Sequence, residues 1–351
     1  MKRKQIMGCL LGIAVGDAMG LPYEGLSPRR LRAWSKPTLS HSFLFGKGMV
    51  SDDTEHACMV AQSLIVAGDN SLKFQRALAW RLRWWVLALP AGVGLATLQA
   101  CIRLWLGVSP DRSGVFSAGN GPAMRSPLLG VCYGGDRDFL HQLVKISTRL
   151  THTDPKAEWG AMAIAIASYQ AATQPEILPE RYYNALEAAL PPESREFLEI
   201  IEQACSSAQN NQASVDFAAQ IGASRGVSGY IYKTVPIVIQ IWLRYPENYR
   251  EAILEIISLG GDTDSTATIL GGIIGSRSGK AGIPPEWLNN LWEYPRSVAW
   301  MEKLAQRLAQ VCQEKRPQTA LRLGIHSILP RNILFLLVVL IHGLRRLLPP
   351  Y

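Results

Sequence analysis

Four consecutive residues, 262–265, supply two carboxylates and two hydroxyl groups. Apolar segments lie on either side of this group, at residues 252–259 and 267–274. Both segments have helical spacing, so we expect the acidic group in a turn between two packed helices. Gly260 can end the first helix in a left-handed conformation, and Gly261 lets the backbone pass close to whatever the aspartates hold. The fold must therefore pack two apolar helices around a charged turn.

A helix cap and a metal site both explain this segment when it is taken alone. A single Asp264 or Ser265 would be an ordinary N-cap, but a cap leaves the second carboxylate without a role. Two like charges within a few ångströms repel unless a proton or a cation lies between them. Oxygen ligands favour a hard divalent cation, namely Mg²⁺, Mn²⁺ or Ca²⁺, over zinc.

A second acidic group lies some two hundred residues earlier, at residues 51–55, just before the apolar run 57–66. Asp52 and Glu55 have the spacing of a capping box, which again leaves Asp53 without a role. The two groups have similar composition, with paired carboxylates beside hydroxyl groups at two helix starts. That arrangement is what a two-cation site with shared ligands requires.

Composition favours an all-α fold with a large core. The chain has 351 residues, of which 48% are hydrophobic, and alternating strand-like runs are scarce. The six cysteines are scattered without a CxxC motif, which argues against a zinc site and against a disulfide scaffold. This cysteine usage is compatible with a reducing compartment, so we expect a cytoplasmic protein.

The N-terminal apolar segment superficially resembles a signal peptide. It contains glycines at positions 8, 12, 16 and 20, which would line one face of a helix, and Asp17 interrupts it. A mid-helix glycine costs about 1 kcal/mol relative to alanine, so this smooth face indicates close packing against another helix. The segment is therefore predicted to be a buried core helix.

Three further segments could contribute polar groups to a site. The turn 117–125 is rich in glycine and opens an apolar helix; such turns offer backbone N–H groups to anions, although a plain loop is equally consistent. His152 immediately precedes a helix start with Asp154 as cap and Pro155 at the first position, and could face a cleft. Glu24 lies in a loop and matters only if that loop returns to the acidic groups. The Trp-rich segment 76–106 is expected to belong to the core.

The C-terminal segment differs from the rest in charge. From Lys303 onward there are eight lysines and arginines against one acid, Glu314, which gives this tail +7 of the chain's formal net charge of +8. Between Arg331 and Arg345 a helix would span only about 20 Å, short of the hydrocarbon core of about 30 Å, so a spanning helix is not expected. A buried, dimer-forming or interfacial helix remains open, and the segment is a candidate for contact with a membrane surface or another subunit. We expect a domain at residues 1–300 and a helical extension at 301–351.

Five segments together resemble the ADP-ribosylglycohydrolase family, which includes the dinitrogenase reductase-activating glycohydrolases. They occur in the family's order at residues 8–20, 51–55, 119–125, 151–155 and 260–265, and the resemblance covers roughly residues 6–295. It implies a compact, orthogonal multi-helix all-α domain with a central dinuclear site for Mg²⁺ or Mn²⁺. The tail after Trp300 lies outside it.

The resemblance also implies roles for individual residues. The metal ligands would be Ser51, Asp52, Asp53, Asp262, Asp264 and Ser265. The substrate would contact Glu24, Gly119, Asn120, Gly121, Met124 and His152, with the glycine-rich turn at the diphosphate. Serine stands at 51 and 265 where threonine is usual, but the hydroxyl ligand is kept.

The implied reaction is hydrolysis of the glycosidic bond at the ribose C1″ of an ADP-ribosylated protein or small molecule, with release of ADP-ribose. Its transition state has oxocarbenium-like charge beside a positioned water molecule. Asp53 or Glu24 would accept the proton of that water. A catalytically silent ADP-ribose-binding or structural member and a two-metal phosphohydrolase are the alternatives. No nucleic-acid partner is expected.

Overall fold

Helices make up most of the described chain, which comprises residues 2–34, 40–43 and 45–346 of a computed structural model. Within these ranges, extended backbone pairs only at isolated bridges, so the prediction of an all-α fold is confirmed. The helices are α1 (Lys2–Gly20), α2 (Pro28–Trp34), α3 (Asp52–Ala67), α4 (Ser71–Trp85), α5 (Leu95–Trp105), α6 (Gly121–Tyr133), α7 (Arg137–Arg149), α8 (Pro155–Thr173), α9 (Pro179–Glu187), α10 (Arg195–Gln209), α11 (Ser214–Gln220), α12 (Ile231–Arg244), α13 (Tyr249–Ser258), α14 (Thr263–Ser278), α15 (Pro285–Asn289), α16 (Val298–Glu314) and α17 (Ile325–Arg345). Short 3₁₀ turns occur at Leu21–Tyr23, Val86–Ala88, Pro192–Ser194 and Lys280–Gly282.

Helices α1 and α14 form the centre of the molecule and touch backbone to backbone. A methyl group added at Gly12 would lie 2.2 Å from the carbonyl oxygen of Gly271, and one at Gly16 would lie 2.2 Å from that of Ala267. The contact is reciprocal, because a methyl group at Gly275 would lie 2.2 Å from the carbonyl oxygen of Gly8. The prediction of a buried helix with a glycine face is confirmed, and the partner of that face is α14.

The remaining core helices surround this pair. α16 packs against α1 and α3, while α6 and α8 pack against each other and against α14. A second layer of α9 to α12 contacts α8 and α14. The six cysteines are buried free thiols. The pairing of α1 with α14 matters for function, because it brings the start of α14 beside the loop that follows α1.

Among the described residues, two helical segments are long and apolar enough to cross a membrane by length and composition alone. The first, Lys2–Tyr23, comprises α1 and the 3₁₀ turn after it and is 89% buried, as a core helix is. The second is α17, of which only 17% is buried. It has 21 residues and is about 32 Å long, longer than the predicted span of about 20 Å between Arg331 and Arg345. The difference arises because the helix begins at Ile325 and continues through Pro330.

The Trp-rich segment does not lie wholly in the core, so that expectation is wrong for three of its tryptophans. Trp80, Trp84 and Trp105 are 57%, 46% and 41% exposed, whereas Trp85 is buried. The exposed rings stack edge to face in sequence, with centroids 5.5 Å apart for Trp80 and Trp84 and 5.1 Å apart for Trp84 and Trp105. Helical spacing of aromatic residues shows that they share a face but does not show what covers that face.

Candidate functional site

The first turns of α3 and α14 meet in the interior of the molecule. The Ser265 hydroxyl lies close enough to the carboxylate of Asp53 to lower its pKa, and the charge of Asp262 lies close enough to raise it. Asp52, Asp53 and Asp264 are buried or nearly so. Two acidic groups some two hundred residues apart in sequence are therefore neighbours in the fold.

The acidic groups belong to the helix starts rather than to preceding turns. Ser51 is the N-cap of α3, and its hydroxyl accepts a hydrogen bond of 3.2 Å from the backbone N–H of Asp53. Asp262 occupies the N-cap position of α14 but makes no side-chain capping bond. Gly260 and Gly261 precede it with φ of +65° and +86°, a left-handed conformation that glycine adopts without strain. The carboxylate of Asp262 is thus available for contacts outside its own helix.

Asp17, in the last turn of α1, organises the start of α3. Its carboxylate accepts hydrogen bonds from the backbone N–H groups of Ser51, at 2.9 Å, and Thr54, at 3.2 Å, and from the Thr54 hydroxyl, at 2.5 Å. Burial raises the pKa of Asp17 to about 7, against the lowering effect of these bonds. In the sequence, Asp17 argues against a signal peptide but does not indicate a role in the acidic site. The available signal was an aspartate within a glycine-faced apolar helix.

Burial and mutual repulsion dominate the electrostatics of the site. Burial, followed by the charges of Asp17 and Asp262, raises the pKa of Asp53 well above its usual range. Burial likewise raises the pKa of Asp264, with further contributions from Glu24 and Asp262. The buried oxygens Asp53 Oδ2 and Asp264 Oδ1 have no hydrogen-bond partner among the described residues. Such a group is stabilised by protons or by cations.

The donor set suits hard divalent cations, because it consists of carboxylate and hydroxyl oxygens with two carboxylate oxygens left unpaired. In the described part of the chain, three or more His, Cys, Asp or Glu side chains do not converge closely enough to enclose an ion. The fit to Mg²⁺ or Mn²⁺ therefore rests on chemistry and burial. The ligand roles of Ser51, Asp52, Asp53, Asp262, Asp264 and Ser265 remain predictions.

The loop after α1 returns to the acidic site, which was the condition for a role of Glu24. The N–H of Gly25 donates to the carbonyl of Gly261 at 2.7 Å, and the N–H of Gly261 donates to the carbonyl of Leu26 at 2.8 Å. Glu24 is exposed. Partial desolvation, followed by the charge of Asp262, raises the pKa of its carboxylate, and Arg346 opposes this effect.

The glycine-rich turn at residues 119–121 also contacts Asp262. The amide nitrogen of Asn120 donates to Asp262 Oδ2 at 2.7 Å, and the backbone N–H of Asn120 donates to the carbonyl of Gly229 at 2.9 Å. Helix α6 begins at Gly121 with Asn120 as its N-cap, so the predicted helix start is confirmed. The turn thus connects the acidic site to the segment that precedes α12.

His152 packs against this turn. A methyl group at Gly119 or at Gly121 would lie 3.0 Å from its imidazole ring. Nδ1 of His152 lies 2.8 Å from the Thr151 hydroxyl, which accepts a bond of 2.7 Å from the guanidinium of Arg125. Burial, aided by the Arg125 charge, lowers the pKa of His152 to about 3. The imidazole is therefore neutral near pH 7.

Two residues, Gly92 and Arg346, bear on the site in ways the sequence did not indicate. Gly92, with φ of +87°, comes so close to Asp52 that a methyl group there would lie 2.8 Å from Oδ1. Arg346 follows α17 and donates to the carbonyl of Glu24 at 2.7 Å and also to that of Pro22. Met124, by contrast, was expected to contact substrate and lies buried in the main hydrophobic core, within α6.

The chain is similar to known proteins in both sequence and fold. A model of the family described as ADP-ribosylglycohydrolase matches residues 1–318. An uncharacterised protein of Archaeoglobus fulgidus is 29% identical over 88% of this chain and 97% of its own length. ADP-ribosylhydrolase ARH3 of Gallus gallus is 27% identical over 88% of this chain and 93% of its own. A solved structure titled "ADP-ribosylglycohydrolase-related protein complex" superposes with a TM-score of 0.64 at 25% identity, over 89% of this chain and 99% of that one.

Proposed function

The chain belongs to the ADP-ribosylglycohydrolase family, and we propose that it hydrolyses the C1″ glycosidic bond of an ADP-ribosylated protein or small molecule, releasing ADP-ribose. Family membership supports ADP-ribosyl glycohydrolase activity in general. The observation that carries the specific proposal is the convergence of the starts of α3 and α14 beside the turn 119–121. One side of this site carries negative charge suited to cations, and the other lies beside the start of α6, where the positive end of the helix dipole favours an anion.

We assign two divalent cations, Mg²⁺ or Mn²⁺, to the acidic side. The residues that would hold them are Ser51, Asp52, Asp53, Asp262, Asp264 and Ser265. When bound, the cations would supply positive charge that orients the ribose hydroxyl groups and makes a nearby water molecule more acidic. Support comes from the unpaired oxygens of Asp53 and Asp264 and from the raised pKa values of these buried carboxylates.

Proton transfer is assigned to Asp53 or Glu24. Either carboxylate can accept a proton from water that attacks C1″, provided that it is ionised when the substrate is bound. Asp53 is buried beside Ser265, whereas Glu24 is exposed in the loop after α1. Asp53 would therefore act from the interior of the site, and Glu24 from this loop.

The substrate's diphosphate is assigned to the turn 119–121. Asn120 ties this turn to Asp262, so the anion site and the cation site have a fixed separation. His152 stands behind the turn in its neutral form, and a neutral imidazole contributes hydrogen bonding and shape rather than charge. We propose a cytoplasmic location, in keeping with the buried free thiols.

The test is a panel of defined substrates, namely ADP-ribosyl-arginine, an ADP-ribosyl-serine peptide and an ADP-ribosylated nucleobase. Each is incubated with Mg²⁺, Mn²⁺ or a chelator, and the products are identified by mass spectrometry. Release of ADP-ribose that stops with chelator supports the proposal. Release of AMP would instead favour a two-metal phosphohydrolase, and binding of ADP-ribose without turnover of any substrate would favour a silent member.

Asp53→Asn provides the matched test within the site. It keeps the size of the side chain and removes the charge and the proton acceptor. We expect turnover to fall at least about a hundredfold. Near-wild-type turnover with both cations bound would refute the role of Asp53 and leave Glu24 as the candidate.

A further inference from the structure

The outer face of α17 is a continuous apolar surface. Its exposed residues recur at intervals of three and four, so they form one stripe along the helix. Ile341 and Leu344 are 66% and 64% exposed. The stripe consists of Ile333, Leu336, Leu337, Leu340, Ile341 and Leu344. A helix face whose large side chains are all leucine or isoleucine and are exposed is unusual on a protein surface.

The inner face of α17 is anchored to the domain by polar contacts. The guanidinium of the buried Arg331 donates to Glu293 Oε2 at 2.6 Å and to the carbonyl of Val50 at 2.6 Å. Asn332 donates to the carbonyl of Ala88 at 2.8 Å. The stripe therefore points outward because the opposite face is fixed. A spanning arrangement would have to break an ion pair whose two side chains are 6% and 0% exposed.

A second apolar region lies beside the start of α17 and includes the exposed tryptophans of α4. Ile325 and Ile328 line a cavity of about 1110 Å³ together with Trp80 and Trp84. Tryptophan is enriched where protein meets the boundary between lipid headgroups and acyl chains, since one end of the ring is apolar and the other is polar. The surface thus combines an aliphatic stripe with the aromatic residues typical of that boundary.

The charge around this surface is positive. Residues 315–346 contain four exposed lysines and arginines and no carboxylate side chain. Among the charged residues that line the cavity, Arg296 and Glu55 pair with each other, so Arg81 and Arg322 supply its net positive charge. A second copy of the chain would bring the same positive charge to the contact, whereas an anionic lipid surface would bring the opposite one.

We infer that the outer face of α17, with Trp80 and Trp84, docks on an anionic lipid surface and holds the domain there as a peripheral protein. The helix lies in the plane of the headgroups with its leucine and isoleucine stripe towards the acyl chains. This inference concerns where the protein acts and does not depend on the proposed reaction.

The experiment measures binding of the full chain to vesicles of phosphatidylcholine alone and to vesicles containing about 30% phosphatidylserine. We expect sedimentation with the anionic vesicles only, weakened between about 0.1 and about 0.5 M NaCl. The double variant Leu337→Gln/Ile341→Gln should bind at least about tenfold more weakly, because two aliphatic side chains no longer enter the lipid. The matched control is Leu178→Gln/Val215→Gln, which alters two exposed apolar residues elsewhere and should bind like the wild type.

Three results would overturn the inference. The first is equal binding by the two double variants. The second is retention of the protein in cell membranes after alkaline carbonate extraction, which would mark α17 as an integral segment. The third is a dimer in sedimentation equilibrium that Leu337→Gln/Ile341→Gln abolishes, without vesicle binding by the wild type. Circular dichroism and ADP-ribose release from a soluble substrate, measured separately on each variant, keep a folding or catalytic defect distinct from a docking defect.

Discussion

Asp17 supplies the hydrogen bonds that the first turn of α3 would otherwise lack. Its carboxylate serves two backbone N–H groups and one hydroxyl, all buried. Asp17→Ala leaves these donors unsatisfied, so we expect a loss of about 3 kcal/mol or more in unfolding free energy, measured by urea denaturation in chelator.

The control for Asp17 is Asp154→Ala. Asp154 caps its own helix, α8, through one bond of 2.9 Å to the N–H of Lys156, and such a cap contributes about 1 kcal/mol. Equal losses for the two variants would show that Asp17 is an ordinary capping residue. A larger loss for Asp17→Ala would support its role in shaping the acidic site.

The low pKa of His152 should make the folded state less stable at acid pH. Its folded pKa is about 3, below the value of about 6.5 for an unfolded histidine. The unfolded chain therefore binds a proton that the folded chain does not, and stability falls as the pH drops below about 6.5. The difference in unfolding free energy between wild type and His152→Gln should change by about 1.4 kcal/mol per pH unit between about pH 6 and 4. Parallel pH profiles for the two proteins would contradict this assignment.

The sequence indicated the acidic residues of the site more readily than the residues that contact and position them. Asp52, Asp53, Asp262 and Asp264 were found because paired carboxylates at helix starts form a local pattern. The contacts of Asp17, Gly92 and Arg346 with the site depend on segments far apart in the chain. No local pattern records such contacts, so only the fold reveals them.

At the scale of elements, the contact of α1 with α14 leaves no room for a side chain at the glycines. A methyl group at Gly12 would meet the backbone carbonyl of Gly271 at 2.2 Å, and a backbone cannot rotate away as a side chain can. We expect Gly12→Ala to lower the unfolding free energy by about 3 kcal/mol or more, measured by thermal and urea denaturation.

Gly343→Ala is the control for this helix contact. Gly343 lies within α17 with no atom within 4 Å of an added methyl group, so alanine should be neutral or favourable by up to about 1 kcal/mol. If Gly12→Ala were as harmless as Gly343→Ala, the close approach of the two helices would be wrong.

Helix α17 is tied to the domain through a buried charge. Arg331 is ion-paired with Glu293, and Arg296 pairs with the neighbouring Glu55. Arg331→Met leaves Glu293 buried without its main partner, so we expect a loss of about 3–5 kcal/mol in unfolding free energy. The double variant Arg331→Met/Glu293→Gln should recover part of this loss, and Arg316→Met, at an exposed position, should have little effect. Additive losses in the double variant would contradict the pairing.

The position of α17 could not be predicted from sequence. Its charge and hydropathy were evident, but the recognisable motifs end before it, and its anchoring residues contact carbonyls and carboxylates of distant segments. The tryptophans of α4 show the same limit of sequence-based prediction. Their spacing indicated that they share one helix face, but it did not indicate that this face is exposed.

At the scale of the whole molecule, the buried carboxylates repel one another, and bound cations would reduce this repulsion and stabilise the folded state. We expect about 1 mM Mn²⁺ or Mg²⁺ to raise the unfolding free energy by about 2.7 kcal/mol when the free ion exceeds its dissociation constant a hundredfold. Differential scanning calorimetry with and without chelator measures this shift, with NaCl at equal ionic strength as the control. Asp264→Asn should reduce it, and an unchanged melting temperature on adding either ion would contradict the metal assignment.

The fold class was predictable because it depends on patterns repeated along the chain. Apolar segments with helical spacing and glycines four apart indicated an all-α protein with a tightly packed central helix. The identity of the partner of α1 and the order in which α3, α6, α8 and α16 surround it depend on long-range packing. Sequence spacing alone does not determine that packing.

Arg346 joins the end of α17 to the carbonyls of Pro22 and Glu24, in the loop that returns to the acidic site. A fusion placed directly after this helix would load these contacts and, through them, the loop. An affinity tag or a surface tether attached there is thus expected to disturb the acidic site, and immobilised preparations should be anchored through another part of the molecule.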